Sequence, residues 1–533
     1  MRGHGSGPST RRRFAVISLC LVIPGCTALG AFALESLSRQ LRVEGLGSEG
    51  VLGRSGVANS RLAIAAKEGT NLAELEVRLD GKPVRTHLAG GRLVLDAPAL
   101  AEGRHDMTAE SPSGLPFLRG ISRTFTVDTT APKLRLSDAR AKKPGAPVTV
   151  RGRVEDAGRV KVSVAGADVS VGDDGTFSQR LEQPPDRIDV AATDAGGNVT
   201  RGHVSPAVRY PLTRAAHLTS IGWTSRAVRE PILQLVREKK INAIQLDIKD
   251  ESGEIGYDSK VPLAREIGAV KARYDARAVL DELHGMGVRV VGRIVAFRDP
   301  VLAEASYRQG KDHRLVQAPD GSPYDGGHYG RLSFTNFADP EVRRYNIDLA
   351  VEAAKLGFDD ILYDYVRRPD GKLSTLRFPG LGNRTPEASI AEFVGDTRRR
   401  IRPEGAYLGA SVYGIAATRP AEIAQDISAI AQHADYIAPM VYPSHWAAGE
   451  YGVASPNASP YAIVNRSLAD FAHQVKGTGA TIVPWLQDFS LGVHYGPGEV
   501  ADQIRAAAGG GMNSFLLWNA GARYQGAALT TMR

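Results

Sequence analysis

From His217 onward the apolar residues of this chain change period. Short apolar runs of strand length alternate with longer segments of helical period. That alternation implies parallel strands joined by crossover helices. The runs fall at 217–222, 242–248, 288–297, 360–365, 407–413, 435–442, 481–487 and 513–518. Helical segments separate them at 226–239, 275–286, 340–356, 387–401, 421–433, 461–476 and 498–509, and glycines such as Gly285, Gly357 and Gly477 close several of these. Eight strands in about 300 residues is the count of an α/β (β/α)8 barrel, here bounded at 213–530. A doubly wound sheet is the alternative, but no Gly-x-Gly-x-x-Gly follows the first strand.

Upstream the pattern is different. Between 40 and 208 short alternating runs are punctuated by turn residues, as where Leu75-Glu76-Val77-Arg78-Leu79 meets Asp80-Gly81. Strands at this spacing, with no helical period between them, predict two β-sandwich modules over 40–128 and 129–208. Two phrases carry a resemblance: Phe125-Thr126-Val127-Asp128-Thr129-Thr130-Ala131-Pro132 and Ala192-Thr193-Asp194-Ala195-Gly196-Gly197-Asn198-Val199-Thr200. Both resemble bacterial extracellular immunoglobulin-like repeats, and the resemblance implies spacer modules or weak carbohydrate binding.

The first 33 residues read as a signal peptide or an N-terminal membrane anchor. Arg11-Arg12-Arg13 precede an uncharged run from Phe14 to Leu34, and Thr10 to Phe14 resembles a twin-arginine signal. The protein is therefore expected to be exported, extracellular or envelope-associated, with membrane contact only through this segment. Both cysteines, Cys20 and Cys26, lie inside it. Once it is cleaved, disulfides, thiolate zinc sites and a cysteine nucleophile are excluded. The formal charge of +8 includes Arg2 and the Arg11 to Arg13 triplet, which leaves only +4, thinly spread, on the remainder. A nucleic-acid partner would call for concentrated charge, and none is expected.

Barrel chemistry sits at the carboxyl ends of the strands. Those positions hold Asp247 to Asp250, then Arg293 and Phe297 to Pro300, then Asp364 to Pro369. Further along come Tyr442 to Trp446, Pro484 to Asp488, and Trp518-Asn519. Tryptophans, carboxylates and amides on one rim are what a saccharide cleft needs: aromatic faces for sugar C–H surfaces, polar groups for hydroxyls. The stretches Leu218-Thr219-Ser220, Asp247 to Gly253, Arg293 to Pro300, Phe358 to Pro369, Met440 to His445, Pro484 to Asp488 and Leu517-Trp518-Asn519 together resemble the bacterial DUF4015 glycoside hydrolase domain, over essentially all of 217–525. The resemblance implies a glycosidase-like barrel without naming a substrate. Arg368 departs from it, standing where an apolar aromatic residue is expected.

A glycosidase usually needs two carboxyl groups, one to protonate the leaving oxygen and one to attack or activate water. Asp364, closing strand four, is the leading candidate for the second role, with Arg367 nearby to keep it ionised; the structural alternative is a salt bridge to Arg367 or Arg293. For the acid the candidates are Asp488, Asp250 and Asp247, in that order. Asp488 lies between apolar neighbours Trp485 and Phe489, whereas Asp247 shares a strand face with Lys249. Lys249, Arg293, Arg367, Tyr442, His445, Trp485, Gln487, Trp518 and Asn519 are expected to bind substrate, although His445 and both tryptophans could equally be structural. Ser444 and His445, as strand neighbours, are expected to point apart and form no nucleophilic pair. No cofactor and no metal are called for. The chain is read as an exported hydrolase of an envelope or extracellular polysaccharide; the alternative is a non-catalytic carbohydrate-binding barrel of the envelope.

Overall fold

The structure, a computed structural model, describes residues 41–532 apart from 48, 59–61, 67–70, 97–99 and 112–119. The signal or anchor expected at 1–33 lies outside the described residues, among which no helix is long and apolar enough to cross a membrane.

Two sheets come first. One pairs Leu41–Glu44, Ala63–Ala66, Arg92–Leu95 and Thr86–Ala89; the other joins Val51–Gly53, Ile121–Asp128, Gly103–Glu110, Glu76–Leu79 and Lys82–Pro83. Alternation along the strands buries Ile64, Leu93 and Leu95 of one sheet with Val77, Met107 and Phe125 of the other in a single core. The expected hairpin at Asp80-Gly81 forms, both residues having positive φ (50° and 77°) as a type I′ turn requires. Residues 133–204 supply further sheets, of Lys133–Leu136, Val148–Glu155 and Thr176–Leu181, and of Ala167–Val169, Val160–Val164, Ile188–Asp194 and Val199–Val204.

The rest of the chain closes an eight-stranded parallel barrel. Its strands are β1 (Arg214–Leu218), β2 (Ala243–Lys249), β3 (Arg289–Val295), β4 (Asp360–Asp364), β5 (Tyr407–Tyr413) and β6 (Tyr436–Met440), then β7 in two pieces (Thr481–Ile482 and Trp485–Gln487), and β8 (Phe515–Trp518). Each pairs with the next, and β8 returns to β1 through Arg214 to Ala216 against Phe515 to Leu517. The main crossover helices are α1 (Arg226–Arg237), α2 (Ala276–Gly285), α3 (Pro340–Leu356), α4 (Pro386–Ile401), α5 (Ile427–Ala431), α6 (Pro460–Val475) and α7 (Pro497–Gly509). Asp275, Asp339, Thr385 and Asp426 cap four of them, each side chain accepting from backbone N–H groups of the first turn. Only α5 is much shorter than its apolar pattern suggested.

Period-2 alternation sorts the strand residues. Ile244, Leu246, Val290, Ile361, Leu408 and Ile437 face the helices in the large outer core. Ala215, Ala243, Val291, Leu362, Ala438 and Leu516 fill the barrel. At the amino-terminal end of the barrel, Tyr210 donates to Asp360 at 2.5 Å, Arg289 pairs with the same carboxyl, and Tyr407 and Tyr436 pack around Tyr210. Burial raises Asp360 to about 6.

Candidate active site at the carboxyl rim

Arg293 organises the rim. It lies inside the barrel on β3, 1% exposed, and its guanidinium meets three carboxylates. Nε and Nη2 donate to Asp364 Oδ2 at 2.9 and 2.6 Å, Nη1 donates to Asp247 Oδ1 at 3.0 Å, and Nη2 also reaches Glu251. Two oxygens bonded to one nitrogen can stand no more than about 6 Å apart, so Asp364 and Glu251 are close neighbours. His217, inside the barrel on β1, brings Nε2 to Asp247 Oδ1 at 3.0 Å and stacks on Trp518 with ring centroids 4.3 Å apart. Burial pushes both Asp247 and Glu251 up, but His217 and Arg293 outweigh it at Asp247, and Arg293 does so at Glu251. Both end below their ordinary values and are ionised at neutral pH.

Asp364 ends β4. Its Oδ1 accepts the N–H of Tyr365 at 2.7 Å, and Tyr365 takes φ of 47°, a left-handed conformation that few non-glycine residues adopt. The strand thus breaks immediately after the carboxylate. Asp488, just past β7, has a different environment. It is 2% exposed, its Oδ2 accepts the Gln525 N–H at 2.9 Å, and its Oδ1 has no partner among the described residues. Burial raises it to about 6.

Other sequence candidates are placed elsewhere. Lys249 does not share the face of Asp247. The ladder to β3 slips between the two, pairing Asp247 with Arg293 but Lys249 with Ile294. That bulge inverts the parity and turns Lys249 outward. There its Nζ donates to Asp299 at 2.7 Å and Asn346 at 2.8 Å, fully buried and 4.8 Å from the Tyr345 ring. Asp250 builds a turn, its Oδ1 accepting from Ser252 and Glu254; burial, with help from Asp247, raises it. Arg367 does not pair with Asp364. It bonds Asp370 at 3.0 Å and the Tyr329 hydroxyl at 3.1 Å, and of the two arginines named as ion-pair partners of Asp364 it is Arg293 that holds it. Arg368, the departure from the family pattern, is buried and donates to the carbonyls of Pro369, Gly371 and Ala421, so a cation ties the loop where an apolar ring was expected.

Trp485 is core, 1% exposed, with Nε1 donating to Ser411 Oγ at 3.0 Å. Trp518 is half-buried, and its ring lies 5.3 Å from the Arg293 guanidinium. Gln487 accepts the Ser444 N–H and donates to the Phe489 carbonyl, while Asn519 accepts from Gly521 and donates to Asp488 O; both amides brace rim loops. Tyr442 and His445 stay at the rim. Burial and the neighbouring Asp364 push Tyr442 up, and burial lowers His445. Ser444 and His445 do meet, Oγ to Nδ1 at 3.0 Å, because Pro443–His445 is a helical turn rather than extended strand.

Two residues of this cluster, His217 and Glu251, were not among the sequence candidates. Strand one was expected at 217–222, which put His217 at its start; the observed β1 ends at Leu218 and brings His217 to the rim. Glu251 lies one residue beyond Asp250, past the end of β2. Away from the rim, two carboxylate-bearing trios among the described residues have ligand atoms within 4.8 Å of one another: His313, Asp339 and Glu341, and Asp128, Asp156 and Asp194. Asp339 and Glu341 already cap α3 and bind Arg314, and Asp194 holds Asn198.

The chain thus contains a closed (β/α)8 barrel with carboxylates, a buried acid and an aromatic ring on its carboxyl rim. Residues 215–524 match the DUF4015 family, described as "Putative glycosyl hydrolase domain", and the chain belongs to that family. It is a carbohydrate-acting hydrolase of glycosidic bonds. Residues 138–210 match Glucodextranase, domain B. Among solved structures the chain is similar to a hypothetical protein from Ruminiclostridium thermocellum, at 32% identity over 37% of this chain and 96% of that one, with a TM-score of 0.32. It is also similar to the PgaB (BpsB) glycoside hydrolase domain from Bordetella bronchiseptica, at 15% identity over 58% and 95% of the two chains, with a TM-score of 0.45. A third is the Group II chitinase catalytic domain 2 from Ostrinia furnacalis, at 11% identity over 60% and 94%, with a TM-score of 0.36. A search of curated proteins finds no match.

Proposed function

We propose that the protein is exported and hydrolyses a cell-envelope or extracellular polysaccharide by a two-carboxylate mechanism. Asp364 is the carboxylate that attacks the anomeric carbon or activates water, and Asp488 is the acid that protonates the leaving oxygen. The observation that carries this reading is the charge around Arg293. Three carboxylates share one guanidinium, so the group is net negative, which suits the positive charge of an oxocarbenium-like transition state. Arg293 holds Asp364 through two hydrogen bonds to one oxygen. Glu251, kept ionised, is unsuited to donate a proton; Asp488, raised to about 6, can do so at mildly acid pH. Trp518 offers its half-buried face for stacking on a sugar ring. The basic triplet and uncharged run of residues 11–34 support export, and the β modules at 40–128 and 129–208 serve as spacers.

The test is release of reducing ends from a panel of bacterial envelope and extracellular polysaccharides by the full chain, its Asp364→Asn variant and its Asp488→Asn variant. Hydrolysis by the wild type, abolished in Asp364→Asn with the fold retained, is the expected result. Binding without hydrolysis in the wild type points to the carbohydrate-binding alternative, and wild-type turnover in Asp364→Asn removes that residue from the mechanism.

A further inference from the structure

Beside Asp364 the rim holds a cavity of about 50 Å³, lined on its other sides by Tyr329, Arg367, Ser411, Tyr413 and Met440. At roughly 10–15 Å³ for each solvent-sized group, it has room for about three to five heavy atoms. A pyranose ring is too large for it. A short substituent on such a ring is not.

Beside the Asp364 carboxylate, the hydroxyls that line this cavity keep protons to donate. Ser411 Oγ accepts from Trp485 Nε1 at 3.0 Å, so its own proton is free to be donated. Tyr329 Oη accepts from Arg367 Nη2 at 3.1 Å, which leaves its proton free as well. The Tyr413 hydroxyl is a third donor. Gln425 closes one side and is fully occupied, accepting the Tyr413 N–H at 2.8 Å and donating to the carbonyls of Val366 and Ser411. Hydroxyl donors beside a thioether and aromatic faces suit a guest with an acceptor oxygen and an apolar end. An anionic guest is disfavoured. Arg367 is already neutralised by Asp370 at 3.0 Å, and the carboxylate of Asp364 lines the same space.

We propose that this cavity is an acyl subsite, taking the acetyl group, or an acyl group of similar size, carried by the sugar bound against Asp364. An acetyl group has three heavy atoms, one acceptor oxygen and one methyl group. The proposal rests on the glycosidase reading above and adds a substrate class to it: glycans substituted with N-acetyl or O-acetyl groups.

Two matched pairs of probes separate the sources. One pair is N-acetylglucosamine hexamer and the same hexamer fully de-N-acetylated; the other is an O-acetylated xylo-oligosaccharide and its de-O-acetylated counterpart. Binding to the full chain is measured calorimetrically and hydrolysis by reducing-end release. The acetylated member of one pair is expected to bind about tenfold or more tightly than its partner, and that pair identifies N- or O-acyl recognition. Tyr413→Phe, which removes one donor and little volume, is expected to cut this preference about tenfold; Tyr329→Phe provides a second variant should the first fail to fold. Equal binding within each pair, or binding of no probe at millimolar concentration, overturns the acyl subsite. Hydrolysis of an unsubstituted glycan alone overturns the subsite and leaves the glycosidase reading standing; no reducing ends from any polysaccharide overturns both.

Discussion

Arg293 spends two of its donors on a single oxygen of Asp364, from Nε at 2.9 Å and from Nη2 at 2.6 Å. The remaining bonds of the same guanidinium go to Asp247 and Glu251. One side chain therefore fixes three acidic groups that would otherwise repel each other, two of them, Asp247 and Asp364, buried.

Arg293→Met is accordingly expected to destabilise the barrel by about 3–5 kcal/mol at pH 7.5, because buried carboxylates lose their counter-charge. The loss should shrink at pH 5, because in the variant burial, no longer opposed by the guanidinium, favours the protonated forms of Asp247 and Glu251. Urea titrations of variant and wild type at both pH values measure it; an equal loss at the two would show that packing, not charge, is what Arg293 supplies.

Asp488→Asn is expected to reduce hydrolysis about 10²–10⁴-fold without reducing stability. The Asp488 pKa rises from 3.8 to about 6 in the folded protein. Its contribution to stability is therefore fully present below about pH 3.8 and is lost as pH rises through 6. Above pH 7 the wild type bears a cost of roughly 1–3 kcal/mol for ionising it in place, which the asparagine variant avoids. Melting temperatures from pH 4 to 8 should show the variant gaining on the wild type as pH rises. In the wild type, kcat/KM should fall above about pH 6.

Lys249→Met is expected to cost about 3–5 kcal/mol by leaving Asp299 buried without its partner. KM for a hydrolysed glycan should stay unchanged in the folded fraction, since the lysine faces the helices. A raised KM at full stability would return Lys249 to the cleft.

The two barrel tryptophans should separate in the same way. Trp485→Ala removes a filled core position and is expected to destabilise by about 3–5 kcal/mol. Trp518→Ala should cost less stability and act mainly on KM, through loss of a stacking surface. Denaturation midpoints set beside Michaelis constants distinguish them.

Much of this architecture is legible in the sequence because it depends on local period. The apolar run 407–413 and the helical run 340–356 coincide with β5 and α3 to the residue. The rim residues were harder to read, for two physical reasons. Facing in a strand depends on parity, and the slip between Asp247 and Lys249 inverts it without leaving a mark in composition. Strand ends are set by long-range pairing, so a displacement of strand one by three residues at its start and four at its end concealed His217. Choosing between named partners is harder still: Arg367 and Arg293 are both candidates for Asp364, and the guanidinium that reaches it is the one on the neighbouring strand, 71 residues away, not the one three residues on.

Tyr210 precedes the first barrel strand, yet its ring is buried against Tyr407 and Tyr436 and its hydroxyl bonds Asp360. What reads as connecting sequence is thus the stopper at the far end of the barrel from the chemistry. An exchange of everything upstream of residue 213 would pull that stopper out and admit water to Asp360 and Arg289. The interchangeable cassette begins no later than Arg209, whose carbonyl receives the Tyr407 hydroxyl, and any recombination of this hydrolase with other modules has to carry those residues with it.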